Sequence, residues 1–282
     1  MKPFSRNGAQ HFVSKFSADA FGKTCSVDDY LSNYAHGVTN FTEGTSEFDQ
    51  LKDCLLREAE RSLLMSASCY ARALDNLREG SVYWAMVGLY YAAFLSSKAV
   101  LGMHGCWMSQ PKSWVEVVDE NPGKQKMIFK KTFYPNNDGQ RGSHKVTWVA
   151  FYEAMNHLSA WLTSPQAVLA INPVNSSKVW MIETRNNVNY NPQAAFEMMS
   201  AFQGSYDPTN VPHCFSGKLQ TMLRVAQAFV MFAKEIAIDY DLNTDVWSPA
   251  ISRKDWCKKY VTSPQDPALL AFAETEYPAL EF

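Results

Sequence analysis

Two helical patterns meet at Gly80, and together they leave the chain little choice of fold class. From Ser46 onward, Phe48, Leu51, Leu55, Ala59, Leu63, Ser66, Tyr70, Ala73 and Leu77 recur at the three-to-four spacing of an amphipathic helix. Ser46 followed by Asp49 reads as a capping-box start. Arg78-Glu79-Gly80 closes the pattern, because glycine adopts at least cost the left-handed conformation that follows a helix C-terminus. Ser81 then opens a second helix at once, so the two must fold back as an antiparallel hairpin. This second pattern, residues 82–101, is apolar almost all round, and its Ala85, Gly88, Ala92, Ala93 and Ser96 would let neighbours approach closely. It is near bilayer-spanning length, yet Tyr83, Tyr90, Tyr91, Ser96, Ser97 and Lys98 stud it. The expectation is the central helix of a bundle rather than a membrane span.

The remaining segments extend a mainly α fold. Residues 1–44 are rich in Ser, Gly, Asn and Thr, but Phe4, Phe12, Phe16, Phe21, Tyr30 and Tyr34 argue against disorder and predict an arm packed on the core. Residues 45–242 form the bundle. Within it, Trp114-Val-Glu-Val-Val and residues 126–134 look β-like and are separated by Glu120-Asn-Pro-Gly123, which predicts an inserted β-hairpin over about 112–135. A helix is expected over about 143–162, burying Val146, Val149, Ala150, Met155, Leu158 and Trp161. Further helices follow at Trp180–Tyr190, capped by Asn175 or Ser176, at 192–202, and at about 215–241. The last carries Leu219, Leu223, Ala226, Val230, Ala233 and Ile236 on one stripe. Residues 243–282 read as a C-terminal extension.

Composition narrows the function classes. A net charge of −2 over 282 residues argues against a dedicated nucleic-acid coat protein, though a local basic patch stays open. The six cysteines are scattered with no CxxC pair, which predicts buried thiols in a reducing compartment rather than disulfides or a zinc site. Met1-Lys-Pro-Phe-Ser-Arg6 has no apolar run of the kind a signal peptide needs, so a cytoplasmic protein is expected. The sequence has no His-x3-His, HExxH, Walker loop, GxGxxG or GxSxG, so neither metal catalysis nor a bound cofactor is predicted.

The stretch Trp180-Met-Ile-Glu-Thr-Arg-Asn-Asn-Val-Asn-Tyr190 carries the chemistry. Its last two turns exchange helix propensity for hydrogen-bonding groups, and Asn191-Pro192 stops it. Arg185 and Asn189 stand four apart on one face, with Asn186 and Tyr190 four apart on the next, making one polar surface. A solvated helix end is the plain alternative.

Long helices beginning with a hairpin, the central segment Tyr90-Tyr-Ala-Ala-Phe-Leu-Ser-Ser-Lys-Ala-Val-Leu101 and the stretch Arg185-Asn-Asn-Val-Asn-Tyr190 resemble the HEPN superfamily. The resemblance covers roughly residues 48–101 and 176–242. Arg185 and Asn186 match the first two positions of the family's Arg-polar-spacer-His motif, and Tyr190 stands where the His belongs. It implies an up-and-down bundle and metal-independent RNA cleavage at a homodimer interface, in a toxin or defence effector. Arg185 would stabilise the phosphorane, Asn186 would hold the geometry and Tyr190 would donate a hydrogen bond or proton. A guanidinium suits the first role because it stays charged and grips phosphate oxygens bidentately. A phenol, with a pKa near ~10, is a poor base at neutral pH but can still donate. The alternative is a non-catalytic dimerisation or adaptor module for a partner such as a nucleotidyltransferase, an antitoxin or a defence complex. His104, His144 and His157 are the histidines that could reach the site from elsewhere in the chain.

Basic residues crowd the hairpin and the loop after it: Lys124, Lys126, Lys130, Lys131, Arg141 and Lys145, interleaved with Phe129, Phe133, Tyr134 and Trp148. Lysines can track a phosphate backbone while aromatics stack bases, so Lys126, Lys130, Lys131, Arg141 and Lys145 are candidate RNA contacts. A solvated basic strand face with its aromatics packed inward would give the same alternation. A third reading is a helical protein that only binds nucleic acid through this hairpin.

Overall fold

The computed structural model describes residues 1–14, 16, 26–34, 38–110, 113–131, 143–158, 180–203 and 217–242. Eight helices and four strands make up this part. They are α1 (Arg6–Ser14), α2 (Val27–Ser32), β1 (Val38–Thr42), α3 (Ser46–Arg78), α4 (Val82–Met103), β2 (Trp107–Gln110), β3 (Ser113–Asp119), β4 (Lys126–Lys130), α5 (Ser143–Leu158), α6 (Trp180–Tyr190), α7 (Pro192–Gln203) and α8 (Gly217–Asp239). The architecture is mainly α with one small antiparallel sheet.

The α3–α4 hairpin is the frame. Every position of the predicted α3 stripe, from Phe48 to Leu77, is buried. The start lies one residue earlier than expected: Thr45, not Ser46, is the N-cap, its hydroxyl oxygen accepting from the Phe48 N–H at 3.3 Å. Gly80 has φ +77°, the left-handed residue that ends α3. Ser81 occupies the N-cap position of α4 but makes no side-chain cap bond. The two helices touch closely at two points. A Cβ on Gly88 would lie 3.0 Å from the Ala73 methyl, and one on Gly102 would lie 2.9 Å from that of Ala59. α4 alone among the described helices is long and apolar enough to cross a membrane, but 72% of its apolar stretch is buried against its neighbours. Burial on all sides explains its composition.

α8 packs on α4 along the predicted stripe, with Leu219, Leu223, Ala226, Val230, Ala233 and Ile236 all buried. α5 closes the core through Trp148, whose ring meets Phe229 edge-on at 5.4 Å and Phe151 at 6.1 Å. On its other side, Val146, Val149 and Ala150 pack on Met108 and Trp114 of the sheet. Trp161 of the predicted α5 stripe, the caps Asn175 and Ser176, Phe133, Tyr134, Arg141 and the extension 243–282 lie outside the described residues.

The inserted hairpin is half of a larger unit. β3 and β4 pair antiparallel, Trp114 opposite Lys130, and β4 spans Lys126–Lys130; positions 132–135 of the expected hairpin lie outside the described residues. β1 pairs with the free edge of β4 and β2 with that of β3, giving the order β1-β4-β3-β2. The segment before residue 44 therefore supplies an edge strand as well as packing. In β1 only Phe41 is buried, so Val38-Thr-Asn-Phe-Thr42 carries no alternation to announce a strand. The N-terminal segment is also pinned by Phe4, whose amide donates to the His104 carbonyl at 2.9 Å. The Phe4 ring sits where a Cβ on Gly105 would be, 2.5 Å away, and Gly105 has φ +70°. Only glycine fits there.

Candidate functional site

α6 positions the predicted residues through a stripe that pattern alone conceals. Met181 and Val188 are buried, and Arg185 lies between them at the same three-to-four spacing. Arg185 therefore points along the packed side of α6 and is half-buried, while Glu183 is exposed. α6 meets α4 there. The helix ends where expected: Asn191 Oδ1 accepts from the Ala194 N–H at 3.2 Å, and Pro192 takes the first position of α7, where no N–H is needed.

The guanidinium sits among three tyrosines. Its Cζ lies 5.6 Å from the Tyr190 ring centre, 5.7 Å from Tyr90 and 5.9 Å from Tyr91. Nη1 donates to Asn186 Oδ1 at 3.0 Å and Nη2 donates to the Tyr91 hydroxyl at 3.2 Å. Nε is buried and has no acceptor among the described residues. None of the ion pairs among the described residues involves Arg185. Among the described residues the group is thus oriented by neutral partners, with no ion pair to offset its charge. Arg185, Asn186 and Tyr190 do come together, but Tyr190 is 72% exposed and only its ring borders the cation.

Sequence pattern put none of the α4 residues in the site, although Tyr90 and Tyr91 are among the polar-tipped side chains that stud this largely apolar helix. Tyr90 is fully buried and its hydroxyl lies 2.8 Å from Nδ1 of His144 on α5. The Trp148 indole N–H donates to the same hydroxyl at 3.4 Å. Burial raises the Tyr90 pKa to about 12, against the opposing pull of the Trp148 bond and the Arg185 charge. The His144 ring stacks on Phe94 at 4.4 Å, nearly parallel. Burial lowers its pKa, and the charges of Arg185 and Lys98 lower it further.

The other two histidines are elsewhere. His104 is buried at the end of α4, its Nδ1 2.8 Å from the Val100 carbonyl and its Nε2 2.8 Å from the Tyr240 hydroxyl. His157 is exposed in the last turn of α5. Among the described residues no three His, Cys, Asp or Glu side chains gather at ligand spacing.

The basic strand divides. Met127 and Phe129 of β4 are buried, while Lys126, Ile128 and Lys130 alternate outward. Lys130 forms an ion pair with Glu116 on β3 and lies 5.7 Å from the Trp114 ring centre. Lys131 and Lys124 are exposed, and Lys145 is half-buried. Phe129 and Trp148, read as interleaved stacking groups, are 3% and 1% exposed and belong to the core. Phe129 takes the inward half of the strand alternation and Trp148 the core side of α5, so these two rings cannot stack bases. Comparison of the chain with protein-family models, curated proteins and solved structures yields no match.

Proposed function

We propose that the protein is a HEPN-like ribonuclease that cleaves RNA without a metal, at a site centred on Arg185. The single observation that carries this reading is a half-buried guanidinium with no carboxylate partner among the described residues, oriented by Asn186 and Tyr91 and with Nε unmatched. Such a group is available to an incoming anion and loses little on orienting. In the reaction, the 2′-oxygen attacks phosphorus while its proton passes to water, the bond to the 5′-oxygen breaks, and the 5′-oxygen is protonated from solvent or from a site donor. Arg185 stabilises the charge on the non-bridging oxygens as the phosphorane forms. Asn186 holds one arm of the fork. Tyr190 borders the anion at the solvent edge and supplies a hydroxyl donor.

A homodimeric, cytoplasmic toxin or defence effector fits this reading. Tyr190 at 72% exposure and Phe196 on α7 at 68% are apolar surface a second copy would cover. The test is incubation of purified protein with single-stranded and structured RNA in EDTA. Cleavage lost in Arg185→Ala is the expected result, and no cleavage by the wild type under any activating condition would end the proposal. One observation favours the second reading, a non-catalytic dimerisation or adaptor module. The motif's histidine position holds the exposed Tyr190, whose contact with Arg185 is through its ring, 5.6 Å from the guanidinium carbon. In that case Arg185→Ala and Tyr190→Phe leave biological activity intact, while Phe196→Asp abolishes it.

A further inference from the structure

We propose that His144, carried by a different helix from Arg185, is the second phosphate-contacting group of this site, presenting Nε2–H as a donor whose tautomer is set by Tyr90. The inference rests on the phosphate-binding reading of Arg185 and goes beyond it. The helical motif contains no such group.

Hydrogen-bond logic assigns the tautomer. The Tyr90 oxygen receives the Trp148 indole N–H, which can only donate. The phenolic proton then needs an acceptor, and within reach among the described residues that is Nδ1 of His144 at 2.8 Å. With Nδ1 accepting, the neutral ring carries its proton on Nε2, at the opposite side of the imidazole. Nε2 has no partner among the described residues. The stack on Phe94 at 4.4 Å and the edge contact with Tyr91 at 5.9 Å fix the ring plane.

Arg185 and His144 flank the same two tyrosines, Tyr90 and Tyr91, from α6 and α5. The groups facing His144 are Tyr90, Tyr91 and Lys98 on α4 and Arg185 on α6, with Lys145 beside it on its own helix. None of these is an acid. Two nearby cations and the half-burial of the ring favour neutral His144 in the free protein, in keeping with its lowered pKa. An arriving phosphate monoanion or dianion reverses that balance, since an anion beside the ring favours its charged form. Anion binding at this site therefore takes up a proton at His144, and it strengthens as pH falls toward the ordinary histidine range.

Histidine-labelled full-length protein, observed by nitrogen-detected NMR and titrated with uridine 3′-monophosphate, tests this. The expected free-state spectrum shows His144 in the Nε2–H form with a midpoint below that of an ordinary histidine. Adding the nucleotide raises that midpoint. His144→Ala weakens nucleotide binding by about tenfold, the loss expected for a hydrogen bond to a charged group. Tyr90→Phe, which keeps the ring packing, mixes the two tautomers and lifts the free-state midpoint toward 6.5. If the nucleotide binds in an Arg185-dependent manner but His144 neither shifts nor matters, this inference is overturned and the Arg185 site stands. If the wild type binds no nucleotide at all, the phosphate reading of Arg185 fails and the role of His144 falls with it.

Discussion

Arg185 commits two of its five donors to Asn186 and Tyr91, and its remaining directions face three aromatic rings. That arrangement depends on the planar fork. Lysine at this position would keep the charge but not the simultaneous contacts to an amide, a phenol and a phosphate. Arg185→Lys should therefore cleave RNA at least about tenfold more slowly than the wild type while unfolding at the same urea concentration; equal rates would show that charge alone suffices. His104 gives a prediction about stability rather than activity. Nδ1–H donates to the Val100 carbonyl, leaving Nε2 to accept from the Tyr240 hydroxyl, and complete burial lowers its pKa to about 4. The unfolded chain binds a proton near 6.5 that the folded chain refuses, so stability is full above that pH and falls as pH drops toward 4. The loss in this window is about 1.4 kcal/mol per pH unit from this group. Urea titrations of wild type and His104→Gln across pH 4–7 should show a steeper slope in the wild type.

Among the elements, the α3–α4 hairpin depends on two methyl-sized gaps. Gly88 against Ala73 and Gly102 against Ala59 repeat about four turns apart on both helices, so the close approach holds along much of the hairpin. Gly102→Val forces either the backbone or Ala59 to move, and should lower stability by about 1–3 kcal/mol in denaturant unfolding. An unchanged midpoint would mean the helices separate easily. In β4 the outward lysines are not equivalent. Lys130 is offset by Glu116, whereas Lys131 is exposed beyond the strand. If this face contacts RNA, Lys131→Ala reduces the slope of log affinity against log salt by about 1, and Lys130→Ala changes it little. Equal effects of the two would show that Glu116 releases Lys130 on binding.

For the molecule as a whole, the homodimer expectation has a direct check. Light scattering on the eluting protein should give twice the chain's mass, and Phe196→Asp should return it to one chain; a monomeric wild type would place the Arg185 site within a single subunit. Much of the architecture was legible because it follows from local periodicity. The stripes of α3, α5 and α8 and the all-round apolarity of α4 each record which side of a helix meets the core, and the turn at Gly80 records a backbone conformation only glycine takes cheaply. The β3–β4 hairpin was likewise marked by its own turn residues. β1 was hidden, since its partner β4 lies far along the chain and an edge strand with one buried side chain has no period to read. β2 lies next to β3 in the chain, but it buries the consecutive Trp107 and Met108 and so shows no alternation either. The candidate site divides in the same way. Arg185, Asn186 and Tyr190 share a helix, so spacing alone brings them together. Their meeting with Tyr90, Tyr91 and His144 depends on how α4, α5 and α6 pack, because only tertiary contact sets the distance between side chains on separate helices.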